Sequence, residues 1–255
     1  MDAIKIEGLT KAYKDIVAVD GLDLTVQEGE LFALLGVNGA GKTTTIKMLA
    51  TLTKPTAGDG WIYGHSICSD GEKVKELIDV SMQETAVARK LTVEENIAFY
   101  AELSGQNKAE MEETKRRLYE TFGLGKVANK QAAKLSGGWQ RKLSIALALV
   151  TNPKVLFLDE PTLGLDVLAR RELWKTILAL KKNTTIVLTT HYMEEAQALA
   201  DRIGIMKDGK LLFVGDKESL FAVTGKQSVE DAFIEVVAGD GVFAVNKENG
   251  GEQNA

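Results

Sequence analysis

Gly36-Val37-Asn38-Gly39-Ala40-Gly41-Lys42-Thr43 is a glycine-rich segment closed by a cation and a hydroxyl, the residue types needed to hold a nucleotide's phosphates. Glycines let successive backbone N–H groups turn toward one anion, a following helix N-terminus adds positive potential, and the Lys42 amine reaches the terminal phosphates. Thr43 is the hydroxyl that would hold magnesium. The candidate phosphate-binding residues are Gly36, Asn38, Gly39, Ala40, Gly41, Lys42, Thr43 and Thr44.

Two further constellations follow along the chain. Val155-Leu156-Phe157-Leu158-Asp159-Glu160 puts two carboxylates at the end of an apolar run, where Asp159 can hold magnesium and Glu160 can polarise a water. Adjacent like charges at such a place are costly without a cation or a shared proton, which favours the metal reading. Ser136-Gly137-Gly138 opens the apolar run Leu143 to Val150, a serine and two glycines at a helix N-terminus and so a second anion site. His191 ends another apolar run, where its imidazole can reach a phosphate. His65 reads as a surface residue and Cys68 as a small, partly buried hydrophobe.

These residues need elements to position them. Leu31 to Leu35 is a short apolar run suited to a buried strand, and Lys42 through Leu52 reads as the helix after the loop. Alternation at Ile4, Ile6, Leu22, Leu24 and Val26, with turn residues at Asp20-Gly21 and Glu28-Gly29, predicts an antiparallel opening. A turn-rich patch from Pro55 to Gly60 precedes Trp61-Ile62-Tyr63, a helix-like stretch, and a strand over Ile78 to Met82. Helices take over between Thr85 and Val150, with a capping box at Thr92-Val93-Glu94-Glu95 and a charged amphipathic run from Lys108 to Phe122. Strand and helix then alternate through Val155 to Leu158, Leu168 to Leu180, Thr185 to Thr189 and Met193 to Leu199, the pattern of a parallel sheet wrapped by helices. Asp208-Gly209 predicts a late hairpin. The fold class is therefore α/β: a P-loop NTPase core of mainly parallel strands flanked by helices, with an N-terminal antiparallel β subdomain and a helical insertion. Composition turns to Gly, Asn, Glu and Gln from Gly239, so about the last fifteen residues are expected to lack fixed structure.

At 255 residues the chain can bury a large core. A net charge of −5 argues against a dedicated nucleic-acid binder, and none is expected as a partner. The single cysteine cannot form an internal disulfide, which suits a reducing compartment. No apolar stretch is long enough to span a bilayer and no leader-like segment opens the chain, so any membrane role is expected to run through a partner.

Together these motifs, in this order, resemble the nucleotide-binding subunit of ATP-binding cassette (ABC) proteins, whose signature is the serine-glycine-glycine-x-glutamine segment at Ser136 to Gln140. The resemblance covers roughly Ala3 to Gly225. It implies an ATPase domain over 1–225, with a helical subdomain at 85–150 carrying the signature, and a short extension over 226–255. It assigns Tyr13 to adenine stacking, Gln83 to a glutamine loop that contacts magnesium, Asp166 to communication across a dimer, and His191 to sensing the terminal phosphate. It implies ATP and Mg2+ as ligands, with Lys42, Glu160 and His191 as catalytic residues and Thr43, Gln83 and Asp159 serving the metal. A second copy, or a homologous subunit, would pair head to tail so that Ser136, Gly137 and Gly138 close over its nucleotide.

The run Gly36 to Ile46, followed by Leu49 and Leu52-Thr53-Lys54-Pro55-Thr56-Ala57-Gly58, together with Thr190-His191-Tyr192-Met193-Glu194-Glu195-Ala196 and Val229 to Ile234, resembles exporters of the drug and polysaccharide type, the daunorubicin type nearest. That branch implies a separately encoded membrane permease and a peripheral position on the cytoplasmic side of the cell membrane. The apolar positions between Val87 and Phe99 fit either core or the docking region for that partner. The alternative is a soluble ABC ATPase such as an iron-sulfur assembly component. Trp139 departs from the smaller or more flexible residue usual in the signature.

Overall fold

The computed structural model describes residues 1–181 and 183–239. The predicted unstructured tail, apart from Gly239, lies outside the described residues.

Strands β1 (Asp2–Tyr13) and β2 (Ile16–Gln27) pair antiparallel, with Ile4 opposite Val26, Ile6 opposite Leu24 and Leu9 opposite Leu22, so the alternating apolar residues share one buried face. The turn falls at Lys14-Asp15. Asp20-Gly21, predicted as a turn, lies inside β2 where the register slips; Gly21 takes φ +59° there and its N–H donates to Thr10 Oγ1 at 3.0 Å. β4 (Ala57–Ile62) joins β1 on its other side and the short β5 (His65–Ser66) pairs with β4. The patch from Pro55 to Gly60 is thus largely strand. Gly58 is needed because at φ +74° a Cβ would come within 2.2 Å of the Gly8 carbonyl oxygen.

The second sheet runs in the order β10-β9-β3-β8-β7-β6. Five of these strands are parallel: β9 (Arg202–Lys207), β3 (Leu31–Gly36), β8 (Thr185–Thr190), β7 (Val155–Asp159) and β6 (Ile78–Ser81). β10 (Lys210–Gly215) adds an antiparallel edge through a hairpin whose turn residues Asp208 and Gly209 both have positive φ, 48° and 80°. β3 is buried along its whole length because each face meets a different core. Leu31, Ala33 and Leu35 join the core under the helical part, whereas Phe32 and Leu34 join one shared with helix α1 (Lys42–Leu49) and the small sheet. α1 ends three residues before the predicted Leu52, since Thr51 turns to φ +58°.

α2 (Gly71–Leu77) leads into β6. α3 (Val93–Leu103), α4 (Lys108–Phe122) and α5 (Gly137–Leu147) form the helical insertion. Both predicted starts carry capping boxes, Thr92 with Glu95 and Asn107 with Glu110, and Gly123 at φ +69° stops α4. The charged run on α4 is a solvated face laced by pairs such as Arg116 with Glu113 and Glu120. α6 (Val167–Leu180), α7 (Met193–Leu199), α8 (Lys217–Thr224) and α9 (Val229–Ala238) complete the chain. Of the apolar residues between Val87 and Phe99, Val93 and Ile97 are core while Phe99 is exposed. Cys68 is exposed rather than partly buried. No helix among the described residues is long and apolar enough to cross a membrane.

One buried amide organises the loop that joins Gln83 to α3. Asn96 is fully buried; its Oδ1 accepts from Ala88 N at 2.8 Å and its Nδ2 donates to the carbonyls of Ala88 at 3.1 Å and Thr92 at 2.8 Å. Asn96→Ala strands these groups, and chemical denaturation of the variant is expected to show a loss of about 2–3 kcal/mol.

Candidate functional site

The site forms where β3, β7 and β8 end side by side, at the carboxyl edge of the parallel strands. Gly39 (φ +85°) and Gly41 (φ +104°) give the loop after β3 its left-handed turns, and Gly41 caps α1. Gly41 also allows a close backbone approach, because a Cβ there would stand 2.4 Å from the Ala18 carbonyl oxygen of β2. The Ala40 carbonyl accepts from Gly209 N at 3.1 Å, and the Gly209 carbonyl accepts from Asp20 N at 2.9 Å. The loop is thus wedged between the small sheet and the β9–β10 turn.

Lys42 is buried, with its Nζ donating to the carbonyls of Gly36 at 2.7 Å and Val37 at 3.1 Å and lying 3.5 Å from Glu160 Oε1. Burial lowers its pKa, and the neighbouring Glu160 and Asp159 act against that shift. Thr43 Oγ1 lies 3.0 Å from both oxygens of Asp159. Thr189, opposite Asp159 in the β7–β8 register, donates its hydroxyl proton to Asp159 Oδ1 at 2.5 Å and accepts from Glu160 N at 3.1 Å. Glu160 takes φ +48°, a left-handed conformation rare for a residue with a Cβ. That turn carries its carboxyl off the strand to His191, whose Nδ1 lies 2.8 Å from Oε2. His191 is held in turn by the loop: Tyr192 N donates to Thr190 Oγ1 at 3.0 Å, and Arg170 stacks on the Tyr192 ring at 4.5 Å.

The donor set in front of the loop is one carboxylate and one hydroxyl, both hard oxygens. Among the described residues no group of three or more His, Cys, Asp or Glu side chains could hold a metal ion alone. Such a set fits magnesium shared with phosphate oxygens and waters.

Lys42, Thr43, Asp159, Glu160 and His191 therefore meet in one place, with the loop residues Gly36, Asn38, Gly39, Ala40, Gly41 and Thr44 beside Lys42 and Thr43 in the chain; Tyr13, Gln83, Ser136 to Gly138 and Asp166 stand elsewhere. Tyr13 is exposed at the tip of the β1–β2 hairpin, with Lys11 Nζ 5.0 Å from its ring centroid. Gln83 is exposed in the loop after β6, where its carbonyl accepts from Arg141. Ser136 begins α5 without a side-chain capping bond, and it and Gly137 are exposed. Asp166 caps α6, accepting from Leu168 N and Ala169 N at 2.9 Å each.

Three polar residues with parts in the site were not singled out from the sequence. Thr189 joins Asp159 to the Glu160 amide. Arg141, buried on α5, donates to the carbonyls of Met82, Gln83, Asp159 and Pro161. Glu195, on α7, is fully buried, accepting from Trp174 Nε1 at 3.0 Å, while its Oε2 is buried with no hydrogen-bond partner among the described residues. The available signal was a charge at an apolar position of a helix, Arg141 four residues before Ile145 and Glu195 four before Leu199.

A family model described as ABC transporter matches residues 19–163. The daunorubicin/doxorubicin resistance ATP-binding protein of Streptomyces peucetius is 42% identical over 224 residues, which cover 88% of this chain and 68% of that protein. ABC transporter A family member 5 of Arabidopsis thaliana is 42% identical over 88% of this chain, and a phospholipid-transporting ATPase of Homo sapiens 43% identical over 86%. The chain spans only 25% and 13% of those two proteins. Among solved structures, an ATP-binding subunit of an ABC transporter superposes with a TM-score of 0.81 at 28% identity, over 92% of this chain and 99% of that one. A dimeric ATP-binding cassette in a post-hydrolysis state, bound to ADP and Pi, gives 0.75 at 26% identity over 84% and 98%.

Two predictions follow from this geometry. Thr189→Val keeps the shape of the strand but removes the hydroxyl between Asp159 and Glu160; steady-state turnover of nucleotide should fall by about tenfold or more, with nucleotide affinity in a fluorescence titration little changed. Burial raises the Glu195 pKa, so the folded chain holds that proton to higher pH than the unfolded chain. Its burial therefore costs nothing below the ordinary carboxylate range and destabilises increasingly as pH rises through the raised value. Glu195→Gln should melt higher than the parent at pH 8, with the gap closing near pH 4, in thermal scans.

Proposed function

The chain belongs to the ABC transporter family of ATP-binding ATPases, and from that premise we propose that it hydrolyses Mg-ATP at two composite sites in a head-to-tail dimer and thereby drives a separate membrane permease. The observation that carries this reading is the division of its anion-binding elements. One set converges on Lys42, whereas Ser136 and Gly137 lie exposed at the start of α5, beside a half-buried Gly138 and with the serine making no capping bond. A second chain would use that helix end as a phosphate cap.

In this reading the amides of Gly39 to Thr44 and the Lys42 amine hold the phosphates, and Tyr13 stacks on the base. Thr43, Asp159 and Gln83 would hold magnesium, which would supply neutralisation of phosphate charge. Glu160 accepts the proton of the attacking water. His191 keeps that carboxylate aimed and faces the terminal phosphate. Lys42 sits within 3.5 Å of Glu160, so arrival of a phosphate gives its amine an anionic partner beyond the carboxylate. Asp166 sits at the start of α6, where it would communicate with the partner.

The permease and the cytoplasmic face of the membrane are supported by the transporter relatives, which favour this reading over a soluble ABC ATPase. Export of a drug or another small amphipathic compound is supported by the resistance protein at 42% identity. Glu160→Gln tests the core of the proposal. Hydrolysis should drop by about a hundredfold or more while ATP still binds and the chain runs as a dimer in size-exclusion chromatography with ATP. Undiminished steady-state hydrolysis would remove Glu160 from the role of base.

A further inference from the structure

The Arg141 side chain touches both the loop after β6 and the end of β7. It sits on α5, the helix that begins at Ser136, and it is 4% exposed. Its Nη1 donates to the carbonyls of Met82 at 2.6 Å and Gln83 at 3.2 Å, its Nη2 to Asp159 at 2.8 Å, and its Nε to Pro161 at 2.8 Å. All four acceptors are main chain. They flank the candidate metal and water-activating residues: Met82 and Gln83 open the glutamine loop, and Asp159 and Pro161 bracket Glu160.

We propose that Arg141 is a positioning residue that couples the two nucleotide sites of the dimer, tying the helix that caps the partner's nucleotide to the loops that serve this chain's own. The proposal rests on the head-to-tail reading above. A guanidinium is rigid, planar and carries five donors, so a shift of α5 moves all four carbonyls or breaks bonds to them. The side chain's long buried stem leaves little slack. A polar contact between α5 and β6 themselves, Ser81 Oγ with Ser144 Oγ at 3.2 Å, lies within the strand and helix rather than at the loops. Partner contact at Ser136 and the setting of Asp159 and Glu160 thus share one mechanical link, which makes hydrolysis at one site depend on assembly of the other.

The test is the ATP dependence of hydrolysis by the full chain carrying Arg141→Lys, with Arg141→Gln as a second variant. An ammonium keeps the charge but cannot hold both segments. The expected result is ATP affinity within about twofold of the parent, ATP-driven dimerisation retained in the Glu160→Gln background, kcat reduced about ten- to a hundredfold and a Hill coefficient that falls from above unity to unity. Arg117→Met is the control, since Arg117 Nη2 also donates to a main-chain carbonyl of the helical part, Leu149 at 2.8 Å; it should lower Tm and leave cooperativity alone. Arg141 variants that behave like this control, or that lose ATP binding or dimerisation, overturn the proposal. A Glu160→Gln parent that never dimerises overturns the head-to-tail reading and this proposal with it. If neither Arg141 variant folds, a mixed dimer of Glu160→Gln and Lys42→Ala chains decides. The Lys42→Ala chain caps its partner's ATP without holding its own, so slower hydrogen exchange at its residues 82–84 and 159–162 supports the link. Protection confined to 136–140 overturns it.

Discussion

Asp159 is the point on which the rest of the site hangs. Its two oxygens meet the Thr43 hydroxyl from the phosphate loop and the Thr189 hydroxyl from the neighbouring strand, and its carbonyl meets Arg141 from the helical part. A carboxylate with 1% exposure at the end of an apolar strand needs donors or a cation to offset its lost hydration. The fold supplies those donors from two separate segments, Thr43 and Thr189, while Arg141 holds the same residue by its carbonyl. Satisfying one buried charge therefore fixes the distances between the loop after β3, the end of β7 and the end of β8.

The strained conformation of Glu160 makes sense beside that constraint. With Asp159 locked in the strand register, the next residue can present its carboxyl to the site only by leaving the extended conformation, and its positive φ does so. Thr189 anchors the turn through both its hydroxyl and its carbonyl, which accept from Glu160 N at 3.1 and 3.2 Å. His191, the residue after that strand, then receives the displaced side chain. β8 and the residue that follows it thus hold the Asp159 carboxylate, the backbone turn and the Glu160 carboxylate.

Much of this was legible in the sequence, because chemistry that needs particular atoms leaves particular residues. Glycine at 39 and 41, the Lys42-Thr43 pair and the Asp159-Glu160 pair each follow from local geometry. So does the helix start at Thr92, where a side chain bonds backbone within three residues. Less legible were features decided between segments. The placement of Asp20-Gly21 inside β2 depends on a register slip against β1, and the strand character of Ala57 to Gly60 depends on β1 being beside it. Arg141 and Glu195 were hidden for the opposite reason: each looks like an ordinary surface charge until the helix face that carries it is known to be buried.

The close backbone packing around Gly41 has a consequence for how tightly a nucleotide can be held. Ala18, Gly41, Ala40 and Gly209 meet main chain to main chain, through a close approach at Gly41 and hydrogen bonds at Gly209. The phosphate loop is thereby ordered by contacts that exist without any phosphate, and the conformational entropy of arranging its amides is lost during folding instead of at each binding event. Such a cradle saves that ordering entropy at every turnover, but it shifts the burden of adaptation to the whole sheet. The loop can follow a departing product only if the small antiparallel sheet and the β9–β10 turn move with it as one body.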